Sequence, residues 1–185
     1  MKPLFLVGYM GCGKSTLGRK IARKLGLEFF DTDKMVEERE GACVADVFHY
    51  EGEEYFRQVE REVLDHLIQN NVLGIISTGG GLPTWGDNMA YMNEQGVTIY
   101  LRRPAEQIAK RMSPYGRQKR PRLRGLNDEE LVAFMTKDME QREAFYAQAD
   151  LIVDCEKLSD AELVDWIVGH VEREKKGERY LRNER

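Results

Sequence analysis

The chain has 185 residues, 42% hydrophobic and 32% charged, with a net charge of −4. That is enough for one α/β domain with a core of its own. The acidic balance argues against a generic polyanion binder, and no apolar run approaches the roughly 20 residues of a membrane span. Three scattered cysteines, Cys12, Cys43 and Cys155, offer neither a disulfide framework nor a zinc site, so a reducing cytoplasm is the expected setting. Met1-Lys2-Pro3 leads directly into the first predicted strand, so no signal peptide is expected.

Leu4-Phe5-Leu6-Val7 is a buried-strand signal, and Leu17, Ile21, Ala22 and Leu25 recur at helical spacing. Between them, Gly8 to Thr16 reads G-x-x-x-x-G-K-S-T. A strand, a glycine-rich turn and a helix in that order make a phosphate-binding loop. Backbone N–H groups and the helix N-terminus would face an anion. Lys14 would reach the β- and γ-phosphates and the Ser15 hydroxyl would ligate Mg²⁺. Gly11, Cys12, Gly13, Lys14, Ser15 and Thr16 are therefore the candidate nucleotide contacts. A thiol at a helix N-terminus can be activated, so modification of Cys12 is expected to block nucleotide binding.

The first helix stops at Gly26, and a second strand over 27–30 ends in Asp31-Thr32-Asp33. Two acids beyond a strand's carboxyl end are well placed for chemistry; the plainer reading of the pair is helix capping, and Asp33 could do both. Residues 43–69 read as two helices broken near Gly52, the second carrying Arg57 and Glu60. A third strand over 72–77 runs into Thr78-Gly79-Gly80-Gly81, which permits close approach of a ligand. A helix is expected from Pro83 to about Glu94, then a strand over 97–101 and a helix over 105–112.

From Lys110 to Gly125 the chain carries Lys110, Arg111, Arg117, Lys119, Arg120, Arg122 and Arg124 with no acid, broken by Pro and Gly. This predicts a lid over about 112–126 that closes on phosphates; a nucleic-acid patch fits less well in an otherwise acidic chain with few interleaved aromatics. Asn127-x-x-Glu130 is a capping box opening a helix to about Ala149 that bears Arg142. A fifth strand over 151–153 and a last helix capped at Ser159 follow, with a charged tail over about 172–185. No linker or internal repeat divides the chain, so 1–185 reads as one domain. His49, His66 and His170 lie on helical patterns without partners at metal-ligand spacing.

Taken jointly, the phosphate loop, Asp31-Thr32-Asp33, Phe56-Arg57-x-x-Glu60, Gly79-Gly80-Gly81, Arg120-Pro121 and Arg142-x-x-x-Tyr146 closely resemble the shikimate kinase family over about residues 3–170. The resemblance implies an α/β three-layer sandwich, a P-loop kinase fold with a mobile lid and a five-stranded parallel sheet in order 2-3-1-4-5. It implies transfer of the ATP γ-phosphate to the 3-hydroxyl of shikimate, in aromatic amino-acid biosynthesis, with ATP and Mg²⁺ as cofactors.

Residue by residue, Asp33 matches the acid that holds the shikimate hydroxyls and either positions or deprotonates the attacking one. Asp31 matches the acid that supports Mg²⁺. Arg57 and Arg142 match the arginines that grip the substrate carboxylate, and Gly79, Gly80 and Gly81 line that site. Arg120 matches the lid arginine that reaches the phosphates, and Arg111 resembles one that packs on adenine. Two features depart from the family. The lid is longer and reads Arg120-Pro121-Arg122-Leu123 where Arg-Pro-Leu-Leu is usual, which leaves Arg117, Arg120 and Arg122 as candidates for the phosphates. Ala144 stands where proline is common. The expected partners are shikimate and ATP, with no nucleic acid, no membrane and a monomeric state. A gluconate kinase of the same fold is the nearest rival; a nucleotide-switch module is the other, but no Asn-Lys-x-Asp base-reading motif is present.

Overall fold

The computed structural model describes residues 2–118 and 120–175. Lys119 of the basic segment and the tail beyond residue 175 lie outside the described residues. The strands are β1 (Leu4–Val7), β2 (Glu28–Asp31), β3 (Gly74–Ser77), β4 (Val97–Arg102) and β5 (Leu151–Asp154), and they form one parallel sheet in the order β2-β3-β1-β4-β5. The inner strands are apolar without alternation because helices cover both faces. Neighbouring residues of one strand enter different cores. Leu4 and Leu6 join Ile75, Ile99 and Leu101 on one face. Phe5 and Val7 join Ile76 and Tyr100 on the other. The expected three-layer sandwich and strand order are both present.

On the first face lie α1 (Lys14–Leu25), α6 (Ala105–Arg111) and α9 (Asp160–Lys175), through Leu17, Ile21, Ile108, Leu163 and Ile167. On the second lie α2 (Thr32–Glu40), α3 (Val44–Tyr50), α4 (Gly52–Gln69) and α5 (Asn88–Gln95), through Val36, Val47, Phe56, Leu64, Met89 and Met92. The long helix α8 (Asp128–Tyr146) serves both. Leu131 and Met135 enter the first core and Tyr146 the second. It therefore crosses the end of the sheet and carries its last turns to the side of α2 to α5. Its capping box forms as expected: Asn127 Oδ1 accepts from the Glu130 N–H and Glu130 Oε2 accepts from the Asn127 N–H, both at 2.9 Å.

Three local expectations change. The helix expected from Pro83 to Glu94 is a 3₁₀ turn (Leu82–Thr84) followed, after Gly86, by α5. The break is held from outside: Arg61 on α4 donates to Asp87 at 2.5 Å and Asn88 at 2.8 Å, and buried Asn88 donates to the Leu82 carbonyl. α8 ends at Tyr146, three residues before the expected end. The basic segment is partly regular, with a short helix α7 (Pro114–Gln118) and a 3₁₀ turn (Pro121–Leu123). Pro114 sits at the helix start, where its missing N–H costs nothing, and Ser113 Oγ accepts from the Gly116 N–H at 3.0 Å.

Candidate active site

The cleft opens at the carboxyl ends of β1, β2 and β3, where ligands meet open parallel sheets. Its first wall is the loop between β1 and α1. Gly8 and Gly13 have φ of 138° and 112°, which a side chain disfavours. Lys14 is buried, and its Nζ donates to the carbonyls of Gly8 at 2.7 Å and Tyr9 at 2.9 Å. The ammonium is thus folded across the loop. Gly11 and Thr16 are exposed, and Ser15 is half-buried.

Cys12 corrects the expectation of a reactive thiol. Its side chain is fully buried, 3.2 Å from where a β-carbon on Gly8 would stand and 3.9 Å from Lys14 Nζ. A helix N-terminus activates a thiol only where a reagent can reach it.

Behind the loop stands Arg103, which in the sequence is no more than a charge after a strand. It is buried, and its Nε donates to the Cys12 carbonyl at 3.1 Å. Asp160, at the start of α9, lies 3.6 Å from Arg103 and 2.8 Å from Arg111. Arg111 is therefore anchored at the rim beside the phosphate loop, where a β-carbon on Gly11 would stand 2.9 Å from Met112 and 3.1 Å from Ile108.

Asp31 and Ser77 are partners in register at the ends of β2 and β3. Ser15 Oγ and Ser77 Oγ share a hydrogen bond of 3.3 Å. Ser15, Ser77 and Asp31 thus gather hard oxygen donors of the kind magnesium takes. Asp31, and not Asp33, caps α2, its Oδ1 accepting from the Lys34 N–H at 3.4 Å. Asp33 is freed by this to point into the cleft. Among the described residues no group of three His, Cys, Asp or Glu could hold a metal by itself.

The second wall is the glycine triplet. Positions for β-carbons show what crowds it. At Gly79 one would stand 2.3 Å from Glu60 Oε1 and 2.6 Å from Asp33 Oδ1; at Gly81, 2.3 Å from Arg57 Nη2. Thr32 Oγ1 accepts from the Gly79 N–H at 2.8 Å, which fixes the loop to α2. Arg57 Nη1 donates to Glu60 at 2.5 Å, and the guanidinium lies 5.4 Å from the rings of Phe48 and Phe56. Arg142 comes from α8. It approaches the Gly80 carbonyl at 3.5 Å, pairs with Asp138 at 3.0 Å and lies 5.4 Å from the Tyr9 ring. Tyr146, one turn further on, donates to the same carbonyl at 2.5 Å. Arg57, Arg142, Asp33 and the triplet, separate in sequence, thus converge.

The electrostatics follow from burial. Asp33 is raised above the usual carboxylate range, first by loss of water and then by the charge of Asp31, with Lys14 and Arg120 opposing. Glu60 is pushed up to about 7 by burial, against the pull of Arg57. Its Oε1 is buried and has no hydrogen-bond partner. Glu60 was legible only as part of the Arg57 motif, and its burial is what distinguishes it.

Of the lid arginines, Arg117 donates to Asp128 at 2.6 Å and Arg122 lies 5.7 Å from the Phe134 ring, both turned toward α8. Arg120 is half-buried, bonded to the Gly116 carbonyl at 2.6 Å, and near enough to Asp33 to feel its charge. Arg120 is thus the lid arginine that faces the cleft.

The family model described as shikimate kinase matches residues 10–172 of this chain. A shikimate kinase of Parabacteroides distasonis is 43% identical over 158 residues, covering 85% of this chain and 90% of that protein. The crystal structure of a shikimate kinase from Bacteroides thetaiotaomicron superposes with a TM-score of 0.83 at 38% identity, covering 95% of this chain and 98% of that one. A shikimate kinase from Acinetobacter baumannii, solved in complex with shikimate, superposes with a TM-score of 0.82 at 31% identity over 95% of each chain.

Proposed function

Since the chain belongs to the shikimate kinase family, we propose that it transfers the γ-phosphate of ATP to the 3-hydroxyl of shikimate, giving shikimate 3-phosphate and ADP. The observation that carries the acceptor is the convergence of Arg57 and Arg142 on Gly79-Gly80-Gly81 beside Asp33. A planar carboxylate suits two guanidinium forks from different elements. A ring hydroxyl suits the acid between them and the phosphate loop. The complex of the Acinetobacter enzyme with shikimate supports the same acceptor.

In this reading the loop N–H groups and Lys14 cradle the phosphates, and Lys14 exchanges the Gly8 and Tyr9 carbonyls for phosphate oxygens. Arg120 swings from the Gly116 carbonyl to the transferring group, and Arg111 lies beside the base. Ser15 would hold Mg²⁺, supported by Asp31, and the ion would offset charge on the β- and γ-phosphates when bound. Asp33 orients the attacking hydroxyl and takes its proton as the oxygen–phosphorus bond forms and the bond to ADP breaks. Positioning and positive charge account for most of such a reaction's acceleration. No helix among the described residues is long and apolar enough to cross a membrane. A cytoplasmic monomer without nucleic-acid partners completes the proposal.

The test is ADP release with ATP and Mg²⁺, with and without shikimate, using gluconate and nucleoside monophosphates as comparison acceptors. Strong stimulation by shikimate alone is expected. Turnover on another acceptor would overturn the reading of Asp33, Arg57 and Arg142. Nucleotide binding with no acceptor turned over would mark a binding module.

A further inference from the structure

Arg142 is not held by the glycine triplet alone. Asp138, one helical turn earlier on α8, faces it as an i, i+4 pair: Arg142 Nη2 lies 3.0 Å from Asp138 Oδ2 and 3.2 Å from Oδ1. The same Oδ2 accepts a 2.8 Å hydrogen bond from the Tyr9 hydroxyl. Tyr9 is a residue of the phosphate loop, wholly buried, and its own carbonyl accepts from Lys14. A continuous polar path therefore runs from the phosphate-binding ammonium, through the Tyr9 backbone and ring, to Asp138, and from there to Arg142 at the Gly80 carbonyl.

We propose that Asp138 is a positioning residue that, through Tyr9 and Arg142, couples occupancy of the phosphate loop to the grip on the acceptor carboxylate. The inference rests on the acceptor reading given above.

Several observations set this apart from an ordinary surface pair. The side chains of Arg142 and Asp138 are only 15% and 11% exposed, so solvent screens them little. Burial and the Asp138 bond raise the Tyr9 hydroxyl well above its usual pKa, so it stays a neutral donor. None of the other contacts of Arg142 brings it a carboxylate: they are a 3.5 Å approach to the Gly80 carbonyl, the face of Tyr9 and the Tyr146 hydroxyl. Loss of Asp138 would leave the guanidinium without its charged anchor and the Tyr9 hydroxyl without an acceptor. Entry of a nucleotide phosphate draws Lys14 from the Tyr9 carbonyl. Any resulting shift of Tyr9 reaches Arg142 through the Asp138 carboxylate, besides the looser contact of the guanidinium with the Tyr9 ring.

The experiment is calorimetric titration of shikimate into the full chain, alone and saturated with ADP and Mg²⁺. The coupling is the ratio of the two dissociation constants. In the wild type a ratio of about fivefold or more is expected, the lower end of ordinary site-to-site coupling. By reciprocity shikimate must change ADP affinity by the same factor. Asp138→Asn and Tyr9→Phe should each bring the ratio toward one, whatever either does to the affinity for ADP alone. A merely structural role would lower thermal stability, or both affinities, and leave the ratio intact. A wild-type ratio of one, or a wild-type ratio retained in both variants, overturns the proposal. Should Asp138→Asn fail to fold, Tyr9→Phe carries the test, since it removes one oxygen and keeps the ring. A wild-type enzyme that neither binds nor phosphorylates shikimate refutes the acceptor reading and the coupling together; intact turnover with an unmoved ratio refutes the coupling alone.

Discussion

Gly81→Ala is the sharpest probe of the acceptor site, because the site's own geometry is the only obstacle to it. Gly81 has φ −93°, a value any residue adopts, so the substitution strains no backbone. The added β-carbon would stand 2.3 Å and 2.4 Å from the two terminal nitrogens of Arg57 and 2.5 Å from Cζ. Carbon and nitrogen meet comfortably only beyond about 3.4 Å, so the guanidinium must retreat by about 1 Å. It is backed by Phe48 and Phe56 and held by Glu60 at 2.5 Å, so the retreat also disturbs a buried carboxylate. One charge-assisted hydrogen bond to substrate is worth about 1.5–3 kcal/mol. Its loss weakens shikimate about 10- to 150-fold. The atoms that crowd the added β-carbon most closely all belong to Arg57, so the KM for ATP should stay within about twofold. A coupled assay of ADP release, run against each substrate in turn, measures both, and a thermal melt confirms folding. A folded variant with an unchanged KM for shikimate, or with equal losses for both substrates, refutes the placement of Arg57 at the acceptor. Gly79→Ala is the contrast: its β-carbon meets Glu60 and Asp33, so kcat should fall as well.

Other outcomes follow from the same site. Arg57→Ala should raise the KM for shikimate far more than that for ATP, checked in the same assay. Lys14→Met, which keeps the buried stem, should lower kcat by at least about 10²–10³ while the melting curve shows an intact fold; wild-type turnover would contradict its role. Glu60, pushed up to about 7 in the folded chain, binds a proton more tightly there than when unfolded. Its contribution to stability is complete below the unfolded value of 4.5 and is lost as pH rises through 7. The span is about 3 kcal/mol. The ligand-free wild type should therefore lose more melting temperature than Glu60→Gln between about pH 5 and pH 8; parallel curves would deny that Glu60 titrates there. A maleimide reagent should label exposed Cys43 and spare buried Cys12, with ADP binding retained; rapid labelling of Cys12 would show that the loop opens.

The parts that act through local chain chemistry were legible in the sequence. The phosphate loop needs glycines at fixed spacing between a strand and a helix, and neighbours along the chain supply all of that. The capping box at Asn127 and Glu130 is a contact across three residues. The elements that depended on distant partners were misread. Pro83 to Glu94 reads as one helix until Arg61 of α4 is seen holding Asp87 and Asn88. Asp33 could be read as a cap as well as a binding acid, and Asp31 takes the capping bond across three residues, a choice between two neighbours that local sequence left open. Cys12 reads as reactive because sequence shows a helix N-terminus but not the packing that seals the thiol.

The acceptor site shows the same division. Arg57 and Arg142 could be named because their motifs resemble a family's, but a lone arginine on a helix carries no mark of its partner. Asp138 looks like one more surface acid among 32 Asp and Glu residues, and Glu60 stands out only within the Arg57 motif. By itself the sequence determined a parallel α/β domain that binds a nucleotide phosphate, because those features follow from chain-local periodicity and backbone freedom. Only the tertiary structure decided which lid arginine faces the cleft, which acids are buried, and that Tyr9 and Arg142 share one carboxylate. Burial and convergence are properties of surfaces brought together by folding, and α8 brings them together by crossing the end of the sheet.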